Sequence, residues 1–193
     1  MGRWEPNARM RLVRAAVDLS AEQGYDATTV AQIAERAGLT KATFFRHFPD
    51  KREVLFAGQE EHSALLAAGI GAAPDGASPL DAVSAGLDTL AASFTPEQRE
   101  FGPRLAEAVR GSTELQERGA LKDVRLASAM GTALRERGVP EPAAHLAAEL
   151  GVLAVKQGYA RWCDGAGDDD GGLAEQMRAA LAELREATVA LGP

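Results

Sequence analysis

Positively charged and hydroxyl side chains are concentrated in one short stretch of the sequence, between Thr40 and Lys51. Lys41 and Arg46 alternate there with phenylalanines, and a histidine follows at position 47. Lysine and arginine bind phosphate and the acceptor edge of guanine, and threonine hydroxyls bind either phosphate or base. These residue types are therefore suited to contacting nucleic acid, although an isolated charge cluster is more often an ordinary solvated surface.

Two short helices joined by a glycine turn would position these side chains. Thr29 begins a capping-box pattern, which marks the start of the first helix. Gly38 stands where that helix must end, because glycine enters the left-handed conformation without steric cost. Thr40 is suited to cap the second helix, in which Phe44 and Phe48 share one face. If that face is buried, the polar side chains point away from the domain.

Two further helices would complete a small domain. The segment 8–23 carries apolar residues at helical spacing and predicts a helix that packs on the first two. Pro49 ends the second short helix, and Asp50 caps another that begins at Lys51. The pattern predicts that this last helix runs to about Ala68.

The stretch GLTKATFFRHFPDKREVLF resembles the recognition-helix signature of the tetracycline-repressor (TetR) family of bacterial regulators. The preceding GYDATTVAQIAERAG resembles the first helix of its helix-turn-helix, and the resemblance extends over 7–66. It implies an all-α protein with a three-helix DNA-binding domain at 6–66, which contains the helix-turn-helix 29–48. A C-terminal helical domain at 78–193 would bind an effector and form a homodimer. The implied function is that of a transcriptional regulator, most often a repressor, on a palindromic double-stranded operator.

The predicted DNA-contacting surface combines both short helices with positions that touch the DNA backbone in the family. Lys41 is the expected base contact, to guanine O6 or N7. Thr28 and Thr29 suit a phosphate oxygen at a helix N-terminus, and Lys51 begins a helix whose dipole favours phosphate. The full set is Thr28, Thr29, Thr40, Lys41, Ala42, Thr43, Phe45, Arg46, His47 and Lys51.

Two positions depart from the family pattern. Phe45 stands where a tyrosine is usual, so the hydrogen bond from that hydroxyl to a phosphate is absent. Ala42 stands where glycine is common, and its methyl group lies at the expected closest approach to the bases. Both differences are expected to change which DNA sequence is recognised, without abolishing DNA binding.

The net charge of −7 is unevenly distributed. Residues 1–58 contain nine Lys or Arg against seven Asp or Glu, whereas residues 59–193 contain twelve against twenty-one. The acidic excess therefore lies outside the predicted DNA surface, where it would discourage nonspecific binding. The arginine-rich start, Arg3 to Arg14, could enter a minor groove, although a solubilising tail is the simpler interpretation.

Apolar residues of the C-terminal half form two predicted sets. Leucines of the last two helices would build a four-helix bundle between two subunits, unless they face the subunit's own core. That dimer interface is Leu146, Leu150, Leu153, Gln157, Leu173, Met177, Leu181 and Leu184. The family resemblance implies a pocket for a largely hydrophobic effector, although plain core packing explains the same residues. Its expected lining is Phe94, Phe101, Arg104, Leu105, Met130, Tyr159 and Trp162.

Other functions lack the residues that they need. No nucleophile motif or phosphate-binding glycine loop is present, so no catalytic residue, cofactor or metal site is predicted. Cys163 lies beside Asp164, which disfavours a thiolate. The alternatives are an enzyme domain fused to a DNA-binding head, and a non-specific DNA-organising protein. The absence of a signal peptide and of a run of about 20 apolar residues predicts a soluble cytoplasmic protein without membrane contact. The Gly165–Gly172 segment, with three adjacent aspartates, is expected to be a mobile solvated loop.

Overall fold

This computed structural model describes residues 7–165 and 171–191, and these form α-helices without any β-strand. The helices are α1 (Ala8–Gln23), α2 (Val30–Arg36), α3 (Lys41–His47), α4 (Lys51–Leu55), α5 (Gln59–Ala72), α6 (Pro79–Ala91), α7 (Pro96–Arg110), α8 (Thr113–Glu136), α9 (Glu141–Asp164) and α10 (Leu173–Ala190). The predicted all-α fold is confirmed. Among the described helices, none combines the length and the hydrophobicity that crossing a membrane requires. Arg3 and residues 166–170 of the acidic segment lie outside the described residues, so the expectations for both stay predictions.

The chain packs as two compact units, each with its own hydrophobic core. The first consists of the described residues of Met1–Ala57 together with Glu100–Ala120. The second consists of Gly58–Arg99 and the described residues of Leu121–Pro193. Residues 100–120 therefore pack with the N-terminal helices, although the sequence pattern assigns them to the C-terminal domain. The functional domains 6–66 and 78–193 stay predictions.

Both α7 and α8 continue through a residue type that often interrupts a helix. Pro103 lies inside α7, where it removes the amide that would donate to the carbonyl of Arg99. Gly119 lies inside α8, which is unbroken. The chain passes from one unit to the other after Arg99 and again after Ala120. Pro103 and Gly119 therefore lie within a few residues of the boundaries between the two units, and neither of them ends a helix.

The single helix predicted from Lys51 to about Ala68 is divided into α4 and α5. Gly58 separates them with a φ of 89°, a left-handed conformation that glycine adopts readily. The second of these helices continues to Ala72, four residues beyond the predicted end at Ala68. A Cβ atom on Gly69 would lie 2.7 Å from the Cα of Gly86. The backbones of α5 and α6 therefore approach this closely only because both residues lack side chains.

The core of the first unit unites helices from both of its segments. Leu12, Ile33 and Phe44 are fully buried, so α1, α2 and α3 contribute to one core. Ion pairs attach the second segment, and the two shortest involve α1 and α4: Arg104 bonds Asp18 of α1 at 2.7 Å. Arg118 bonds Glu53 of α4 at 2.6 Å. The small helical domain is thus completed by α7 and the start of α8.

Replacing Gly38 by alanine should destabilise the first unit by about 1–3 kcal/mol, because its φ of 66° is strained for any residue with a Cβ atom. The added Cβ would also lie 2.7 Å from Nη2 of Arg11, whose guanidinium donates to the carbonyl of Ala37. Urea unfolding measures the loss. Gly76→Ala is the matched control, since its φ is 82° but nothing lies within 4 Å of the added Cβ. Equal losses in the two variants would show that the Arg11 contact adds nothing.

Candidate nucleic-acid interface

Threonine caps fix the start of both short helices. The hydroxyl of Thr29 accepts from the amide of Gln32 at 3.3 Å, and the side chain of Gln32 accepts from the amide of Thr29 at 2.9 Å. The hydroxyl of Thr40 accepts from the amide of Thr43 at 3.1 Å. These bonds satisfy amides that a helix N-terminus otherwise leaves without a partner. The predicted capping box of α2 and the cap of α3 are confirmed.

The turn between α2 and α3 is closed by backbone hydrogen bonds around Gly38. Its amide donates to the carbonyl of Glu35 at 2.9 Å, and the amide of Leu39 donates to the carbonyl of Ala34 at 2.8 Å. This pattern satisfies the last carbonyls of α2 and requires the left-handed residue between them. The side chain of Leu39 packs partly against the core of the unit. The turn therefore holds α3 in a fixed direction relative to α2.

One side of α3 is buried and the other is exposed. Phe44 is fully buried, whereas the next residue, Phe45, is 56% exposed. Their rings meet edge to face, with centroids 5.5 Å apart. Phe48 lies in the same core as Phe44. The remaining predicted contacts around this helix are Thr40, Lys41, Ala42 and Arg46, which are exposed, and Thr43, which is half-buried.

The positive charges on the exposed face of α3 are not compensated. Within the part of the chain that the structure describes, neither Lys41 nor Arg46 forms an ion pair. Arg36 of α2, by contrast, bonds both carboxylate oxygens of Glu22 at 2.9 and 2.8 Å. That hydrogen bond holds the pKa of the Glu22 carboxyl below its ordinary value. Within this helix-turn-helix, the positive charges that an anion could bind are therefore those of α3.

The structure corrects the expectation that Thr28 binds phosphate. Its side chain is 2% exposed, and its hydroxyl donates to the carbonyl of Gly24 at 2.9 Å. Its amide donates to the carbonyl of Tyr25 at 3.1 Å. Thr29 is exposed, but its amide and hydroxyl both donate to the side chain of Gln32. A phosphate at this helix start would have to displace that side chain, and Thr28 has no donor left to offer.

Lys51 and His47 both lie against other groups of the first unit, and their predicted contacts with the DNA backbone stay predictions. The amino group of Lys51 donates to the carbonyl of Tyr25 at 2.8 Å and lies 3.8 Å from the centroid of its ring. His47 is half-buried, and its Nε2 atom is enclosed without a hydrogen-bond partner among the described residues. Both side chains are half-buried, so each keeps part of its surface exposed. The spacing of these residues along α3 and α4 gives no sign of the contacts that enclose them.

The residues predicted to line one effector pocket are divided between the two units. The first unit contains Phe101, Arg104 and Leu105, and the second contains Phe94, Met130, Tyr159 and Trp162. Arg104 is engaged by Asp18 within its own unit. In the second unit, the ring of Phe94 lies 5.6 Å from that of Tyr159 and 6.2 Å from that of Trp162. These three residues and Met130 share one core and stay a candidate lining, whereas Phe101 and Leu105 belong to the core of the first unit.

A separate groove lies on the second unit, between α5 and α8. Its volume is about 430 Å³. Its lining is Ala67, Arg125, Ser128, Ala129, Thr132, Ala133 and Glu136, and it includes none of the predicted pocket residues. Nor do the described residues include a group of three or more His, Cys, Asp or Glu placed to hold a metal ion.

Half of the predicted dimer interface is buried inside the second unit. Leu150, Leu173, Met177 and Leu181 belong to its own core. Gly158 makes this packing possible, because a Cβ atom there would lie 2.6 Å from the Cα of Met177. The backbones of α9 and α10 are thus in direct contact within one chain. These four residues pack in the core of their own chain, as the intramolecular alternative expects, and their part in a dimer interface stays a prediction.

The other members of that set remain at or near the surface. Leu146 and Leu153 of α9 are 55% and 42% exposed, and they lie two turns apart on one face. Gln157 is half-buried, and Leu184 is partly buried against the core of the unit. Among the eight predicted interface residues, the exposed leucines are therefore Leu146 and Leu153, on the outer face of α9.

Comparison with known proteins identifies the helix-turn-helix. The family model described as "Bacterial regulatory proteins, tetR family" matches residues 12–57. The transcriptional regulator TcmR of Streptomyces glaucescens is 41% identical over 76 residues, which are 39% of this chain and 34% of TcmR. The transcriptional activator FasR of Mycolicibacterium smegmatis is 34% identical over 62 residues, or 32% of this chain and 28% of FasR. The chain thus matches about a third of the length of these relatives.

Solved structures show that the similarity of fold extends over nearly the whole chain. A TetR-family regulator from Syntrophomonas wolfei superposes with a TM-score of 0.55 at 20% identity, covering 96% of this chain and 95% of its own. The repressor FadR of Thermus thermophilus, solved with lauroyl-CoA, has a TM-score of 0.50 at 23% identity, covering 92% and 93%. The predicted arrangement of an N-terminal helix-turn-helix and a C-terminal helical part is confirmed.

Removing the carboxylate that starts α4 should destabilise the first unit. Asp50 accepts from the amides of Arg52 at 2.8 Å and Glu53 at 3.1 Å. Asp50→Ala is therefore expected to lose about 1 kcal/mol of stability, while Asp50→Asn keeps most of the cap. A hydrogen bond from the Arg52 side chain lowers the pKa of the Asp50 carboxyl below its ordinary 3.8. The stabilisation by the ionised Asp50 carboxylate is thus present above about pH 4. It is lost as the pH falls through the lowered pKa that this group has in the folded state.

Unfolding of the wild type and Asp50→Ala at several pH values tests this. The difference in stability between them should shrink as the pH falls from about 6 to about 3. A constant difference over that range would contradict a role for the ionised carboxylate.

Proposed function

We propose that this chain, which belongs to the tetR family of bacterial regulatory proteins, is a cytoplasmic transcriptional repressor that binds a palindromic operator as a homodimer. The observation that carries the proposal is the exposed face of α3, where Lys41 and Arg46 form no ion pair with the described residues and lie beside an exposed Phe45. The opposite face of the same helix is anchored in the core by Phe44. A helix fixed in this way can enter a major groove and keep one orientation there.

The residues of α3 have distinct proposed roles. Lys41 contacts guanine O6 or N7, because it is the exposed cation nearest the N-terminus of the recognition helix. Phe45 offers an apolar ring to a thymine methyl group, and Arg46 reaches base or phosphate. Thr40 and Thr43 complete the polar surface around the helix start. Together these contacts give both the electrostatic attraction and the hydrogen bonds that recognition of one DNA sequence requires.

A homodimer is proposed because one short helix reads only a few base pairs. Two copies related by a two-fold axis would place their recognition helices about 34–36 Å apart, one turn of DNA. The exposed stripe of Leu146 and Leu153 on α9 supports a contact between subunits, since exposed leucines on one helix face favour burial.

The proposed signal is a small, largely hydrophobic effector that binds the second unit. Phe94, Tyr159 and Trp162 give this unit an aromatic cluster, and the hydroxyl of Tyr159 donates to the carbonyl of Gln98 at 3.2 Å. The similar FadR of Thermus thermophilus was solved with lauroyl-CoA, a ligand with a long apolar chain. Release from DNA requires that the effector bind the DNA-free conformation more tightly than the DNA-bound one.

The two alternative functions have less support. Burial raises the pKa of the Cys163 thiol, so little of the nucleophilic thiolate is present at neutral pH. Substrate turnover that is lost in Cys163→Ala would favour an enzyme. A DNA-organising protein would bind all sequences alike, with an affinity set by salt concentration.

Footprinting on the DNA upstream of the protein's own gene tests the proposed function. We expect protection of an inverted repeat whose half-sites are about 10 base pairs apart. Lys41→Ala should weaken binding to it by about 1–3 kcal/mol and relax the preference at one base pair. Arg135→Ala is the control for lost charge, because Arg135 forms an exposed ion pair with Glu141 at 3.2 Å in the second unit. Protection without sequence preference would refute the regulator, and unchanged discrimination in Lys41→Ala would refute the base contact.

Placing charges on the exposed stripe of α9 should separate the subunits. The double variant Leu146→Glu, Leu153→Glu is expected to run as a monomer in sedimentation experiments and to lose operator binding. Its helical content should be retained, because both side chains are exposed in the single chain. Val124→Glu is the matched control, since Val124 is an exposed apolar residue of α8 outside the stripe. A double variant that remains dimeric would move the interface elsewhere.

A further inference from the structure

Lys51 is the one cation of the predicted DNA surface that the structure places in an internal site. Its amino group donates to the carbonyl of Tyr25 at 2.8 Å. The same amino group lies 3.8 Å from the centroid of the Tyr25 ring, within the range of a cation–π contact. One of the three N–H donors of the ammonium is thus used within the protein. The family resemblance assigns Lys51 a contact with phosphate, whereas the structure shows it in contact with Tyr25. The two observations suggest different roles.

Tyr25 lies in the turn that joins α1 to α2. Its side chain is buried in the core of the first unit, and its carbonyl also accepts from the amide of Thr28 at 3.1 Å. The hydroxyl of Thr28 closes the same turn on the carbonyl of Gly24 at 2.9 Å. Thr29, the capping residue of α2, follows directly. Whatever holds the carbonyl and ring of Tyr25 therefore also fixes the start of α2.

The other end of the contact is equally fixed. Lys51 is the first residue of α4 and follows the capping residue Asp50, whose carboxylate accepts from the next two amides. The lysine stem thus leaves from a capped helix start and ends on a turn that lies 26 residues earlier in the chain. This single side chain connects α4 to the turn that precedes the helix-turn-helix.

We propose that Lys51 is a positioning residue of the helix-turn-helix. Its ammonium holds the turn before α2 through the carbonyl and the ring of Tyr25, and so sets the direction in which α2 and α3 face DNA. It does not contact a phosphate. The proposal rests on the proposed DNA-binding function for its consequence, but the contact itself is a property of the folded protein alone.

A double-mutant cycle on unfolding tests the contact without DNA. Lys51→Met removes the ammonium and keeps the stem, and Tyr25→Leu removes the ring. We expect the two losses to be non-additive, with a coupling of about 2- to 30-fold in the unfolding equilibrium constant. Tyr25→Phe is the matched control, because it keeps ring and carbonyl and removes only a hydroxyl that has no partner among the described residues. Additive losses in Lys51→Met and Tyr25→Leu would overturn the proposal.

The salt dependence of operator affinity tests whether Lys51 is a positioning residue or a phosphate contact. Lys51→Met should lower the affinity while leaving the slope of log affinity against log salt unchanged. Loss of a phosphate contact would instead reduce that slope by about 0.9. Arg46→Met is the control for a cation on the exposed face, and its slope should fall. A reduced slope in Lys51→Met would overturn the positioning role.

The two tests separate this proposal from the proposed function. If the wild type binds no DNA specifically, the repressor is refuted, and the unfolding cycle still decides whether Lys51 acts through Tyr25. If Lys51→Met does not fold, Lys51→Gln keeps a side-chain N–H donor without the charge. The same cycle and the same salt series then apply to that variant, with the same deciding outcomes.

Discussion

The candidate function of this protein depends on the burial of one side of a two-turn helix. Phe44 and Phe48 hold α3 in the core of the first unit, and their rings lie 5.7 Å apart. A helix this short is not stable by itself, so its direction is set by that burial and by its caps. The side chains of Lys41 and Arg46 are exposed only because they occupy the opposite face. The anchoring and the exposure are thus two consequences of one arrangement.

Other cations of the first unit stabilise the helix-turn-helix from inside. Arg11 of α1 donates to the carbonyl of Ala37 at the end of α2, where the helix dipole favours positive charge. Lys51 donates to the carbonyl of Tyr25 just before the start of the same helix. A count of charges along the sequence includes these groups in the attraction for DNA, although they are bound to protein carbonyls. Both groups keep their positive charge, but each already has a protein carbonyl as a hydrogen-bond partner.

Sequence reasoning succeeded where the deciding interactions are local. The caps at Thr29 and Thr40 and the turn at Gly38 each involve residues within five positions of one another, so the sequence pattern contains them. It failed where a distant partner decides. The burial of Thr28 depends on the turn as a whole, and Met177 is buried because α9 presents a glycine to it. An apolar stripe on a helix has the same spacing whether it meets its own core or a second subunit, so spacing could not separate the two.

The extent of the first unit also depends on residues that are distant in the sequence. The family match ends at residue 57, but Phe101 and Leu115 are buried in the same core as Phe44. Acidic and basic partners join the two segments on two sides: Arg104 bonds Asp18 of α1, and Arg118 bonds Glu53 of α4. Any force that moves α7 or the start of α8 must therefore act on α1 and α4. Arg11 of α1 bonds Ala37 at the end of α2, and Lys51 of α4 bonds Tyr25 in the turn before that helix. Because α7 and α8 also continue into the second unit, the chain itself provides a covalent route by which an effector there could alter the presentation of α3.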